Sequence, residues 1–199
     1  QTVRSRCRGA VYLCRYADDF VCAFEREAGA ERFYQVLGGR LEKFGLEVAA
    51  EKTNLMRFSP IHWKASGTFE FLGFVHACST KRNKKFTVRR VSSSKRMRTK
   101  LREVKEHLRR YRHRPIPEQG AWLRRVVQGY LNYHAVPGNA KRIESFRSQV
   151  VRMWLKSLRR RSQRHRMPWT RFGPIAERWI PPARILHPYP TERFYAKHP

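Results

Sequence analysis

Residues 11–24 read Val11-Tyr12-Leu13-Cys14-Arg15-Tyr16-Ala17-Asp18-Asp19-Phe20-Val21-Cys22-Ala23-Phe24, and the fold turns on how this stretch is taken. Val11 to Tyr16 and Phe20 to Phe24 are short apolar runs rich in β-formers, too short for helices. Two such runs around a tight polar break form a β-hairpin, with Asp18 and Asp19 at its tip. Hairpin tips ordinarily take Asn-Gly or Asp-Gly, which suit positive φ and the strand twist. Two like charges side by side cost free energy, and a divalent cation removes that cost. Mg²⁺ held by one or two carboxylates plus substrate phosphates is the usual arrangement of polymerase sites, where metals clamp the attacking and leaving oxygens of an in-line displacement. The plain alternative is a solvated acidic turn.

Beyond the hairpin, Glu27 to Phe44 has helical periodicity, with Ala28, Phe33, Val36, Leu37, Leu41 and Phe44 on one broad face and a stop at Gly45. Leu46 to Val48 and Thr53 to Phe58 read as strands bracketing a polar turn, which gives a strand–helix–strand, α+β layer of palm-like arrangement. Residues 59–68 form a loop before a third apolar run, Phe69 to Val75. The basic turn Lys81 to Lys85 leads to a strand over Phe86 to Arg90. From Ser92 to Arg114, Met97, Leu101, Val104, Leu108 and Tyr111 recur at steps of three and four, with Ser92, Ser93 or Ser94 able to cap. Pro115-Ile116-Pro117 breaks this helix. A second follows to about Val136, a third from about Ala140 to Arg161, and a shorter one around Ile175 to Ile180. The third buries Ile143, Phe146, Val150, Trp154 and Leu158. The Pro-rich tail to Pro199 is expected to be extended. The domain boundary falls near residue 91, where β-rich pattern gives way to basic helices.

The net charge of +29 is unevenly spread. Residues 1–74 carry net +2, and residues 75–199 carry net +27. A segment that basic repels itself unless a polyanion is present, and phosphate backbones are the natural partner. An anionic membrane would need an amphipathic basic helix lying in lipid, whereas the apolar faces here belong to a core. No apolar run approaches the ~20 residues of a membrane span. The expectation is a soluble, intracellular, cytoplasmic protein with no membrane partner. Cys7, Cys14, Cys22 and Cys78 show no C-x-x-C pair and no regular spacing with His, so structural zinc is not expected, and Cys14 and Cys22 are expected as buried free thiols.

Tyr16-Ala17-Asp18-Asp19-Phe20, with a hydrophobic strand on each side, resembles the catalytic hairpin of reverse transcriptases, and more specifically that of the group II intron reverse transcriptase/maturase family. The resemblance extends along essentially the whole chain. It implies an α+β fold in two parts. Residues 1–91 would be a partial palm, an antiparallel hairpin with packed helix and strands, and residues 92–199 an all-α thumb and maturase-specific domain. The implied activity is RNA-directed DNA synthesis with two Mg²⁺ ions, together with assistance to intron splicing. The implied partners are the intron RNA, an RNA template with DNA primer, and a DNA target.

By resemblance, Asp18 and Asp19 are metal ligands, and Tyr16 lies near the templating or incoming nucleotide, against the alternative of a core-facing strand aromatic. Lys52 is placed near the triphosphate, where a cation neutralises or protonates leaving pyrophosphate; alone, it reads as solvated surface. Phe71-Leu72-Gly73-Phe74 looks like a primer grip, Gly73 marking either close approach of a primer backbone or mere packing room. Trp122 to Asn139 resembles the maturase-specific domain. There Trp122, Val126, Gly129, Tyr130 and Tyr133 follow core spacing, while Arg124, Gln128 and Asn132, with Arg125 and His134 nearby, form a second stripe suited to RNA. Lys95, Arg96, Arg98 and Lys100 on the first basic helix are further RNA candidates. So are Arg159, Arg160, Arg161 and Arg164, whose phosphate contacts set position rather than sequence.

In the family a further catalytic acid lies upstream of the acidic pair, and nothing before Asp18 here is acidic. The chain opens at Gln1 and is expected to be the C-terminal portion of something longer, inactive as a polymerase by itself but able to bind RNA. The rivals are a retron or defence-type reverse transcriptase, which lacks the Trp122 to Asn139 pattern, and a non-catalytic RNA-binding splicing module with vestigial acids.

Overall fold

The computed structural model describes residues 7–58, 66–80, 86–162 and 167–190. The chain divides into two compact units, Gln1–Leu72 with His76–Arg89 and Gly73–Val75 with Arg90–Pro199.

In the first unit, strand β1 (Val11–Tyr16) pairs antiparallel with β2 (Asp19–Phe24), Val11 opposite Phe24 and Tyr16 opposite Asp19. Ala17 and Asp18 form the connecting loop. A two-residue loop matches strand twist only with positive φ at its start, and Ala17 supplies φ 50°. Helix α1 (Glu27–Glu42) packs against β2, with the Phe24 and Phe33 rings 5.4 Å apart. It ends in a Schellman motif: Leu46 N–H donates to Leu41 O (3.1 Å) and Gly45 N–H to Glu42 O (2.9 Å). This closure needs a left-handed residue, met by Gly45 at φ 66°.

Several expectations for this unit are corrected. The segments 46–48 and 53–58 are not strands; Ala50–Lys52 forms a 3₁₀ turn, and the residues on either side lie outside any ladder. A β-former becomes a strand only where a neighbouring edge takes up its N–H and C=O groups. The apolar face of α1 is also mostly uncovered, since Leu37 is buried while Val36 and Phe44 remain 56% and 68% exposed. The hairpin is similarly open, with Tyr12, Leu13 and Cys14 all exposed. Cys14 is therefore not a buried thiol. Cys22 is half-buried, and burial raises its pKa.

The run 69–75 is not one strand. Strand β3 (Thr68–Phe71) turns at Leu72 and Gly73 into β4 (Phe74–Thr80), and β5 (Phe86–Ser92) completes a sheet of order β3-β4-β5. Leu72 and Gly73 have φ of 50° and 76°, the both-positive pattern of a type I′ hairpin loop. The expected turn over 81–85 lies outside the described residues.

The second unit is helical, and here periodicity and structure agree closely. Helix α2 (Ser94–Arg110) buries Met97, Leu101, Val104 and Leu108. Helix α4 (Ala140–Arg159) buries Ile143, Phe146, Val150, Trp154 and Leu158 and packs against α2. Helix α3 (Ile116–His134) starts with Pro117 in its first turn, where the missing N–H has no intrahelical partner to lose. The Tyr130 and Phe146 rings stack at 3.7 Å, joining α3 to α4.

The buried stripe of α3 is Leu123, Val127, Tyr130 and Leu131; Gly129 is exposed and Tyr133 is 51% exposed. The pairs Trp122-Leu123, Val126-Val127 and Tyr130-Leu131 offer two adjacent apolar stripes, and packing selects the one centred a residue later. Helix α5 (Trp169–Trp179) begins earlier than the periodicity indicates and carries Pro174 inside it. Its Phe172 is fully buried edge-on to Trp154, at 5.4 Å, and that packing outweighs the lost amide. Where α5 meets α3 a Cβ at Gly120 would come within 2.5 Å of the Trp179 ring, so only glycine fits there.

Candidate catalytic hairpin and nucleic-acid interface

Asp18 occupies the second loop position of the β1–β2 hairpin, and Asp19 is the first residue of β2. Both are exposed. Strand pleat makes neighbouring side chains diverge, but a residue in the turn escapes that alternation. Arg15 Nε–H donates to the Ala17 carbonyl at 2.9 Å, tying down the loop on which Asp18 sits. Ala17 is a non-glycine residue in the left-handed region, and such strain concentrates at functional turns. Tyr16, opposite Asp19, is 66% exposed, so its ring is available to a ligand rather than to a core.

Two adjacent exposed carboxylates are suitable donors for Mg²⁺, which takes one or two protein carboxylates and fills its octahedron with water and substrate phosphate. Among the described residues no group of three His, Cys, Asp or Glu side chains is placed to hold a metal ion. Lys52 is exposed at the end of the 3₁₀ turn, and among the described residues no ion pair joins it to either aspartate.

Gly73 is buried at the tip of the β3–β4 hairpin, its carbonyl accepting from Ser93 N–H at 2.9 Å. A Cβ there would meet the Arg96 guanidinium at 3.2 Å. The space beside this glycine is taken up by the Arg96 side chain. Phe74 stacks on Tyr133 at 5.6 Å and meets His134 edge-on at 5.2 Å; Leu72 is half-buried.

His134 belongs to a closed polar network. Asn139 Nδ2 donates to Ser92 Oγ (2.6 Å) and to His134 O (2.8 Å), while Ser92 N–H donates to Asn139 Oδ1 (3.0 Å). Ser92 Oγ also lies in hydrogen-bond contact with His134 Nδ1 at 3.1 Å, joining the ring to the network. Burial, with the Arg96 charge beside it, pushes the His134 pKa down to about 4. Folding therefore favours the neutral ring, and the unfolded chain binds the extra proton between the folded and ordinary values. Stability is expected to fall as pH drops from 6.5 toward 4. Urea unfolding midpoints across that window check this, and His134→Gln should flatten the pH dependence.

The remaining interface candidates divide by what already holds them. Lys95, Arg96, Arg98, Arg124, Arg125 and Arg160 are exposed, and Lys100 is half-buried and pairs with Glu103 at 2.8 Å. Gln128 donates to Asn132 at 2.7 Å, so the outer stripe of α3 is a joined amide pair beside Arg124 and Arg125. Arg159 Nε donates to Met167 O at 2.9 Å, and Arg161 donates to the Arg114 carbonyl. Arg164 lies outside the described residues.

Two features escaped the sequence reading. Arg15 anchors the acidic loop, signalled by a lone cation inside an apolar strand. The turn between α2 and α3 gathers Arg110, Tyr111, His113 and Arg114 around a cleft, signalled by an aromatic residue inside a basic run.

Residues 1–76 match the family model described as reverse transcriptase (RNA-dependent DNA polymerase). The matched segment holds the acidic hairpin, α1 and β3. No curated protein matches the chain.

Proposed function

We propose that the chain is the C-terminal part of a group II intron reverse transcriptase and splicing maturase: the end of the palm, the thumb and the maturase-specific helices. The observation that carries this is the paired carboxylates on a two-residue, positive-φ hairpin inside a segment that matches the reverse-transcriptase family model. A helical unit bearing most of a +27 surplus supports the RNA-binding half of the reading.

Asp18 and Asp19 would hold Mg²⁺, which when bound neutralises charge on the reacting phosphates. The tight loop fixes where the two carboxylates start, and Arg15 limits how far it moves. Tyr16 offers an exposed ring beside them for a base or sugar. An upstream carboxylate from the preceding palm completes the set, so DNA synthesis belongs to the complemented protein and RNA binding to this chain alone. In splicing the RNA performs the chemistry, and the protein holds it in shape through phosphate contacts.

The test is binding of the chain to structured intron RNA as a function of salt. If about six phosphates are neutralised, affinity should weaken by roughly 10²–10³-fold between about 50 and about 200 mM monovalent salt. A flat response would contradict phosphate-driven binding. Preference for intron RNA over an unrelated RNA of equal length separates the maturase reading from a retron-type enzyme.

A further inference from the structure

The end of α2 leads into α3 through an open cleft of about 350 Å³ lined by Arg110, Tyr111, His113, Arg114 and Pro115. We propose that this cleft is a clamp for a phosphodiester group of an RNA backbone, with Arg110 and Arg114 as its donors and Tyr111 as the platform that holds them. The proposal rests on the RNA-binding reading above and locates a contact within it.

The two guanidinium carbons lie 5.6 and 5.9 Å from the Tyr111 ring centroid. A cation held against an aromatic ring has fewer rotamers to lose when it binds, and a planar guanidinium presents paired N–H groups to phosphate oxygens. His107 lies 4.5 Å from Tyr111 on one side and stacks on Trp122 at 3.5 Å on the other, so the platform is itself braced.

The ordinary duty of basic residues at a helix C-terminus is to satisfy its last carbonyls and oppose its dipole. Part of that duty is already met by other groups, since His107 O accepts from Tyr111 N–H at 2.9 Å. Gln119 Nε2 donates to the Tyr111 and Arg112 carbonyls at 2.9 Å each and to that of Arg114 at 3.2 Å. Ser157 Oγ donates to Leu108 O at 3.0 Å, and Arg161 to Arg114 O. The Gln119 side chain is fixed from behind by Trp154 Nε1 at 2.9 Å.

Fewer of the turn's cations are thus needed at the helix end. Glu118 offsets part of the excess through an exposed contact to Arg114 at 3.4 Å, an i,i+4 pair of little strength that a phosphate can displace. At the same turn, the buried Nε atoms of Arg112 and Arg161 have no hydrogen-bond partner among the described residues. The guanidinium groups that carry them add to the positive charge at the turn, which favours an anion in the cleft.

The test titrates the full chain against a fluorescent single-stranded RNA of about 20 nucleotides, by anisotropy at several salt concentrations. R110Q/R114Q should weaken binding by about tenfold and lower the log–log salt slope by about 0.7, the single phosphate that the clamp neutralises. R110K/R114K should restore the slope but not the full affinity, since charge returns without the planar fork. Tyr111→Leu should cost roughly threefold with the slope unchanged, because the charges remain. The control R171Q/R184Q removes the same charge from exposed positions and should cost less than twofold. Equal losses in the two glutamine pairs, or no loss in either, would overturn the clamp while leaving RNA binding intact. A wild-type chain with no RNA affinity would overturn both the clamp and the wider reading. A melting temperature raised by millimolar inorganic phosphate in the wild type, but not in R110Q/R114Q, would reassign the cleft to free phosphate and overturn the RNA assignment.

Discussion

Asp18→Asn, placed in the chain complemented by an upstream palm segment, is expected to lower primer extension by about 10³-fold, or about 4 kcal/mol in the barrier. RNA affinity should stay within about twofold, because one neutralised carboxylate at an exposed tip barely alters a surface governed by phosphate contacts. The size of the first effect follows from position. Asp18 sits on a two-residue loop whose Ala17 carbonyl is held by Arg15, so the backbone that presents its carboxylate is tied down before any cation arrives. Asparagine keeps the shape and one oxygen but loses the charge that makes a metal ligand. Primer extension on a homopolymer template, run beside an RNA-binding titration, checks both halves. A large loss of RNA affinity would contradict the separation of roles, and undiminished synthesis would remove Asp18 from the site.

Trp154→Ala is expected to cost the helical unit about 4 kcal/mol, enough to unfold much of it. Trp154 is fully buried, edge-on to Phe172, and its Nε1–H is the partner of Gln119 Oε1. Truncation leaves a large cavity and an amide oxygen without its donor, two costs that add. Trp154→Phe keeps most of the volume and loses the hydrogen bond, so its expected cost is about 1–2 kcal/mol. Because Gln119 caps the end of α2, both variants should also loosen the Tyr111 to Arg114 turn. Urea denaturation followed by far-ultraviolet circular dichroism, with hydrogen exchange across residues 107–119, measures both consequences. Equal stability of Trp154→Ala and wild type would refute the assigned packing.

The helical unit was largely legible because apolar residues recur there at one dominant spacing. Met97, Leu101, Val104 and Leu108 leave α2 a single face to bury, and Ile143 to Leu158 do the same for α4. Where two stripes competed, as in α3, periodicity could not choose between Trp122 and Leu123, and contact with α4 and α5 did. The last helix was expected only from about Ile175, yet the burial of Phe172 and Ala176 carries it back through Gly173 and Pro174. In the first unit the strands of the hairpin were legible from composition. The strands expected at 46–48 and 53–58 were not formed, since β-propensity needs a paired edge that local sequence does not supply.

By itself the amino-acid sequence determined the acidic hairpin, the charge asymmetry and most of the helices, because each depends on residues close together along the chain. Tertiary structure alone decided which face of α3 is inside, that Gly73 is approached by Arg96, that His134 is kept neutral by burial and the Arg96 charge, and that Arg110 and Arg114 converge on Tyr111. The physical reason is the same in each case. In a segment where nearly every outward position is basic, sequence cannot distinguish one arginine from the next, and only packing settles which cations share a cleft and which are already spent on the protein's own carbonyls.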